Sequence, residues 1–254
     1  MKDNVIDLRS DTITVPTKEM LDYMFSAKVG DDVWEEDYTV KDLETEMATL
    51  FSKEAALFCP SGTMTNQIAI RVHTKIGDEV ICDKLSHIYN YEGGGLAANS
   101  GVSTRLVEGD FGRITVDHIK DNINPDDVHF PRTSLVCLEN TVNKGGGVCY
   151  DYNQMQDISN YCKSSNLMLH LDGARVFNAL IAKSESACDY GKLFDSVSVC
   201  LSKGLGAPVG SVLIGDAKFI HKAKRVRKSL GGGMRQVGYL AAAGHYALKN
   251  HISR

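Results

Sequence analysis

Asp172 and Lys203, each at the end of a short apolar run, are the residues of this sequence best placed to do chemistry. Asp172 closes the run in LMLHLDGAR, and Lys203 closes the one in SVSVCLSKGLGAPVG, just before a glycine-rich turn. Lysine is seldom buried without a partner. In an apolar crevice its amine gives up a proton more readily and becomes a nucleophile toward an aldehyde. An Asp at a second strand end can pair with a protonated ring nitrogen of a cofactor. Alone, Asp172 reads as a turn or cap residue, and Lys203 is as well explained by a surface turn. Together they favour a crevice that holds an aldehyde-bearing ring.

Further groups fit that crevice. Pro60-Ser61-Gly62-Thr63 joins a strand to a helix, where glycine lets the backbone approach an anion and Thr63 with free N–H groups can bind phosphate oxygens. It is neither a GKS/T loop nor a GxGxxG fingerprint, and alone it is no more than a capped helix. His87, in DKLSHIYNYEGGG, can stack on an aromatic ring and exchange protons near neutral pH. His129, in DDVHFPRT, has the same capacity, and for either residue simple exposure is the plainer reading. His170 alternates with Leu169 and Leu171 inside a strand and reads as structural. The segment 225–235, RVRKSLGGGMR, gathers cations around three glycines and reads as a solvated loop that could grip a phosphate.

The elements that must position these residues alternate. Apolar runs at 56–60, 79–83, 134–139, 167–172, 196–201 and 211–215 lack polar alternation, as strands covered on both faces do. Between them, 63–73 places Met64, Ile68 and Val72 at helical spacing, and 152–164 does the same behind the N-cap candidate Asp151. A further helix is read at 237–249. The pattern predicts an α/β fold with a mostly parallel central sheet flanked by helices, whose ligand lies beyond the carboxyl ends of the strands. Residues 1–45 read as an N-terminal arm, extended over 7–15 and looped over 31–37; residues 46–254 form the large domain.

Bulk properties exclude other classes. The 254 residues carry 43% hydrophobic and 24% charged side chains, enough for a substantial core, and a net charge of −4. That balance gives no reason to expect nucleic acid or an anionic membrane as partner. No run approaches a membrane span, and the N-terminus lacks the apolar stretch of a secretion signal. Seven singly scattered cysteines predict reduced thiols rather than disulfides or zinc ligands, and a cytoplasmic setting. No metal is expected.

The chain resembles the low-specificity L-threonine aldolases, pyridoxal phosphate enzymes of the aspartate-aminotransferase-like fold (fold type I). The resemblance rests on DLRSDT at 7–12, VGDDVWEED at 29–37, SGT at 61–63, SHIYNYE at 86–92, HFPRT at 129–133, LEN at 138–140, HLDGARVFNA at 170–179, CLSKGLGAPVGS at 200–211 and GGGMRQ at 231–236. It implies that Lys203 bonds pyridoxal phosphate, that Asp172 pairs with its ring nitrogen, and that His87 stacks on the ring. It further implies that Gly62 and Thr63 hold the phosphate with Arg235 of a neighbouring subunit. Ser10 and Arg175 would contact the substrate carboxylate, and His87 and His129 would lie near the β-hydroxyl.

The implied reaction cleaves L-threonine or L-allo-threonine, a β-hydroxy-α-amino acid, to glycine and acetaldehyde. The base is left among His87, His129 and water. The implied assembly is a homo-oligomer, a dimer or tetramer with shared sites. Two departures stand out: Val142 replaces a histidine common in the family, and the family's small C-terminal domain, with a second arginine for the carboxylate, is expected to be absent. A pyridoxal phosphate-binding remnant without turnover and a related β-eliminating lyase are the alternatives. A nucleotide-binding dehydrogenase is disfavoured by the missing glycine fingerprint.

Overall fold

A computed structural model describes residues 6–253. Seven strands make one sheet: β1 (Ala55–Cys59), β2 (Glu79–Asp83), β3 (Ser103–Val107), β4 (Thr133–Glu139), β5 (Met168–Gly173), β6 (Ser196–Cys200) and β7 (Ser211–Gly215). Their order is β1-β7-β6-β5-β4-β2-β3. Only β7 runs against its neighbours β1 and β6; the other pairs are parallel. The connection between Cys200 and Ser211 explains the exception, because a parallel return needs a crossover of roughly a dozen residues or more. Lys203 lies in this tight return.

The helices are α1 (Lys18–Phe25), α2 (Tyr38–Leu50), α3 (Gly62–His73), α4 (His87–Asn90), α5 (Gly95–Ser100), α6 (Val116–Lys120), α7 (Tyr152–Ser164), α8 (Val176–Lys183), α9 (Ala187–Leu193), α10 (Ala217–Ser229) and α11 (Gly238–Asn250). On one face of the sheet, alternate residues such as Phe58, Ile81, Val136, Leu171, Val199 and Ile214 pack with side chains of α1, α2, α7, α8, α9 and α11 in one large core. On the other face two smaller clusters form. Leu57, Cys59 and Leu213 meet Ile68 of α3 and Phe219 of α10, while Val80, Cys82, Leu135 and Cys137 meet Ile70 and α5. The cysteines of the apolar strand runs are therefore core residues, and all seven are free thiols.

The six expected strands are all present, and β3 is the one that was not foreseen. Its sequence, STRLV, is polar and largely uncovered, as an edge strand with one neighbour can be. In the first 45 residues, short 3-10 turns interrupt the extended stretch at Asp11–Ile13 and the acidic loop at Asp32–Trp34. Met20, Met24, Val40 and Leu43 join the large core, and α2 runs continuously past residue 45. Among the described residues, no helix is long and apolar enough to cross a membrane.

One glycine fixes how closely α9 approaches the end of α2. A Cβ on Gly191 would lie 1.6 Å from the carbonyl oxygen of Phe51. Because the obstacle is backbone, Gly191→Ala is expected to cost about 1–3 kcal/mol or more, read as a lowered melting temperature. A wild-type melting curve would show that the two segments part easily.

Candidate active site

Strand register places the site. Asp172 is the penultimate residue of β5, on the α3 side, 3% exposed, and its register partner on β4 is Glu139. The Asp172 carboxylate accepts from the Ala174 N–H at 3.1 Å and from Asn66 Nδ2 of α3 at 2.9 Å. Helix α3 starts at the mouth of the same crevice. Ser61 caps it, its hydroxyl accepting from Met64 N, which leaves the first-turn N–H groups of Gly62 and Thr63 without intrahelical acceptors. Gly62 is needed here for space, since a Cβ would sit 2.5 Å from Cys200 Sγ.

His87 opens α4 just beyond β2. Its backbone N–H donates to Glu139 Oε2 at 2.8 Å, and Nδ1 lies 3.0 Å from Oε1 of the buried Glu92. Gly62, Thr63, Asn66, His87, Asp172 and Lys203 line a cavity of about 140 Å³. His87, Glu92 and Asp172 offer ligand-type atoms within 4.8 Å of one another, but Asn66 and Gln67 already occupy the Glu92 oxygens.

Charge is arranged with the same economy. The hydrogen bond to Glu92 raises the His87 imidazole above its ordinary 6.5, outweighing partial burial, and Asp172 and Glu139 add to the rise. Burial pushes the Glu139 carboxyl up to about 7, with Asp172 contributing. Because the folded value of His87 is raised, the stability its charge adds is fully present below 6.5 and is lost as pH rises through the folded value. Glu92→Gln is expected to lower the His87 midpoint, read by proton NMR; an unchanged midpoint would show that Glu92 does not hold the proton.

The N-terminal segment crosses this site. The Thr14 hydroxyl donates to the Lys203 carbonyl at 2.7 Å. Arg175, at the start of α8, directs Nε and Nη2 onto Asp11 at 2.9 and 2.6 Å. Burial alone would raise the Asp11 carboxyl, but Arg175 overrides it and the net shift is downward. Ser10 is next to Asp11, and its hydroxyl accepts from Thr12 N.

Two expected residues lie apart from the crevice within this chain. His129 is 82% exposed, bonded to Asp127, on the loop entering β4, whereas Glu139 at the other end of β4 neighbours Asp172. Arg235 pairs with Asp31 at 2.8 Å. Val142 is buried in the large core, so its side chain contributes packing. Asn66, Glu92, Glu139 and Asp11 were not singled out from sequence. Asp11, Glu92 and Glu139 lie within the stretches DLRSDT, SHIYNYE and LEN that carry the resemblance, whereas Asn66 lies in none of them.

Comparison with known proteins gives the family. The family profile described as β-eliminating lyase matches residues 7–254. The low specificity L-threonine aldolase of Escherichia coli O157:H7 is 45% identical over 251 residues, 98% of this chain and 74% of that protein. This chain belongs to the β-eliminating lyase family, among its threonine aldolases. Low-specificity L-threonine aldolase 1 of Arabidopsis thaliana is 46% identical over 253 residues, 98% of this chain and 71% of its own length.

A solved structure from Listeria monocytogenes, assigned as an L-allo-threonine aldolase, superposes with a TM-score of 0.83 at 28% identity. It covers 93% of this chain, and this chain spans 66% of it. Leishmania major threonine aldolase shares the fold, with a TM-score of 0.85 at 24% identity, over 96% of this chain and 72% of that one. The mixed, mostly parallel sheet flanked by helices is the fold type I architecture of this family.

Proposed function

We propose that this chain binds pyridoxal phosphate in the crevice between Lys203 and Asp172 and cleaves threonine-type β-hydroxy-α-amino acids to glycine and an aldehyde. The observation that carries the reading is the convergence on one small cavity of an amine, a buried carboxylate, an imidazole and a helix start with free N–H groups. The donor set fits the cofactor: Lys203 for its aldehyde, Asp172 for its ring nitrogen, Gly62 and Thr63 for its phosphate, His87 for its ring face. Bound there, pyridoxal phosphate supplies a ring that accepts the electrons released when Cα–Cβ breaks.

The chain's own groups do the rest. Asp172, backed by Ala174 and Asn66, presents a fixed acceptor to the ring nitrogen. His87 is tied through Nδ1 to Glu92, which leaves Nε2 to take the β-hydroxyl proton, and Glu92 makes it a stronger base. Within this chain His129 stands outside the crevice, so any share it takes in that task belongs to the site of a neighbouring copy. Ser10 and Arg175 receive the substrate carboxylate beside Lys203.

Arg235 is reserved for the phosphate of a neighbouring copy, so the working form is a homo-oligomer, a dimer or tetramer, and the free thiols suit a cytoplasmic setting. The test is a visible spectrum of the protein with pyridoxal phosphate, then L-allo-threonine with coupled aldehyde detection. Cofactor uptake and aldehyde release are expected; uptake without aldehyde would overturn the aldolase reading and leave a cofactor-binding protein.

A further inference from the structure

The α3 side of the sheet is interrupted where β5 and β6 cross it. There His170, Asp172, Ser196 and Ser198 point toward α3, while Leu169, Leu171, Val197 and Val199 fill the core on the opposite face. This polar strip separates the two apolar clusters on the α3 side. His170, Ser196 and Ser198 are fully buried, and Asn66 of α3 is 2% exposed. Polar groups so deep are costly unless each is paired; Ser198 pairs with Thr65 at 2.6 Å, and the others are joined in one continuous line.

Protonation along that line follows from what each group can do. Asn66 Nδ2 lies 2.9 Å from both Asp172 Oδ2 and Glu92 Oε1, and only the amide NH₂ can donate to two carboxylates. Asn66 Oδ1 must then face away, toward His170 Nε2 at 3.1 Å, which therefore carries the proton. Burial pushes the His170 imidazole down to about 3 and keeps it neutral. Its bare Nδ1 accepts from the Ser196 hydroxyl at 2.8 Å. With that proton used, the Ser196 oxygen accepts from His73 Nε2 at 2.8 Å. His73, itself pushed down to about 3 by burial, stacks on Phe219 with ring centroids 4.5 Å apart. Every donor along the line points toward Asp172 and Glu92, and no net positive charge is introduced.

We propose that His170 and Ser196 are positioning residues: acting through Asn66, they fix the Asp172 carboxylate from the side away from the cofactor, in a single tautomeric state. This rests on the reading that Asp172 faces the cofactor ring. A merely structural strip would accept either His170 tautomer and would leave cofactor affinity indifferent to Ser196. Ser198 is an internal control, because it is equally buried on the same strand face but bonds Thr65 instead of the line.

The experiment has two arms. In the protein without cofactor, NMR of isotopically labelled histidine is expected to show His170 neutral and protonated at Nε2, unchanged from about pH 5 to 9. An Nδ1-protonated or titrating His170 would overturn the proposal without any variant. In the second arm, Ser196→Ala is expected to weaken pyridoxal phosphate binding roughly three- to tenfold, while Ser198→Ala leaves it unchanged. Equal affinities in the two serine variants overturn the proposal and spare the site reading. Failure of the wild type to take up the cofactor overturns both.

Discussion

Lys203→Ala is expected to lower aldehyde release from L-threonine and L-allo-threonine by about 10³-fold or more, with no change in melting temperature. The size follows from position. Among the described residues, Lys203 is the one amine lining the cavity that holds Asp172 and His87, so no neighbouring side chain there can replace it. Stability is spared because the turn holds its shape without the amine. The Lys203 carbonyl accepts from Gly206 N at 2.8 Å and from Thr14, and both bonds survive the substitution. Coupled aldehyde detection and a melting curve check the two halves. Activity within tenfold of wild type would remove Lys203 from the mechanism.

The second large effect is expected at Asp172, and there the choice of substitution separates chemistry from folding. Asp172→Asn keeps an oxygen for the Ala174 N–H while removing the charge offered to a ring nitrogen. It should lower kcat by on the order of 10²–10³-fold with a modest stability change. Asp172→Ala strips the acceptor from both Ala174 N and Asn66 Nδ2 in a buried site, which costs about 1–3 kcal/mol for each orphaned donor. The alanine variant is therefore expected to melt well below the asparagine variant, although both are catalytically crippled. An asparagine variant with wild-type turnover would show that the carboxylate charge is not used.

Much of the frame was legible in the sequence. Strands buried on both faces write themselves as unbroken apolar runs, so β2 and β7 have the expected bounds and the ends of β5 and β6 mark Asp172 and Lys203. β3 was hidden because an edge strand needs neither apolar continuity nor strict alternation. Asn66 and Glu92 were hidden for another reason. Their meaning lies in partners far away in sequence, Asp172 for Asn66 and His87 for Glu92, and no periodicity announces such contacts. His170 shows where periodicity stops being informative. Its alternation with Leu169 and Leu171 placed it correctly inside a strand, but could not say that it and Asp172 share a polar strip with Ser196 and Ser198 of β6.

The bond between Arg175 and Asp11 has a consequence for how any carboxylate ligand is received. The guanidinium already holds an anion carried by its own chain, so an incoming carboxylate meets a tethered competitor at high local concentration. Charge attraction alone then yields little net gain, since one ion pair is exchanged for another. Discrimination falls to whatever else the ligand reaches at the same moment, and simple anions such as acetate, which reach nothing else, should be poor inhibitors.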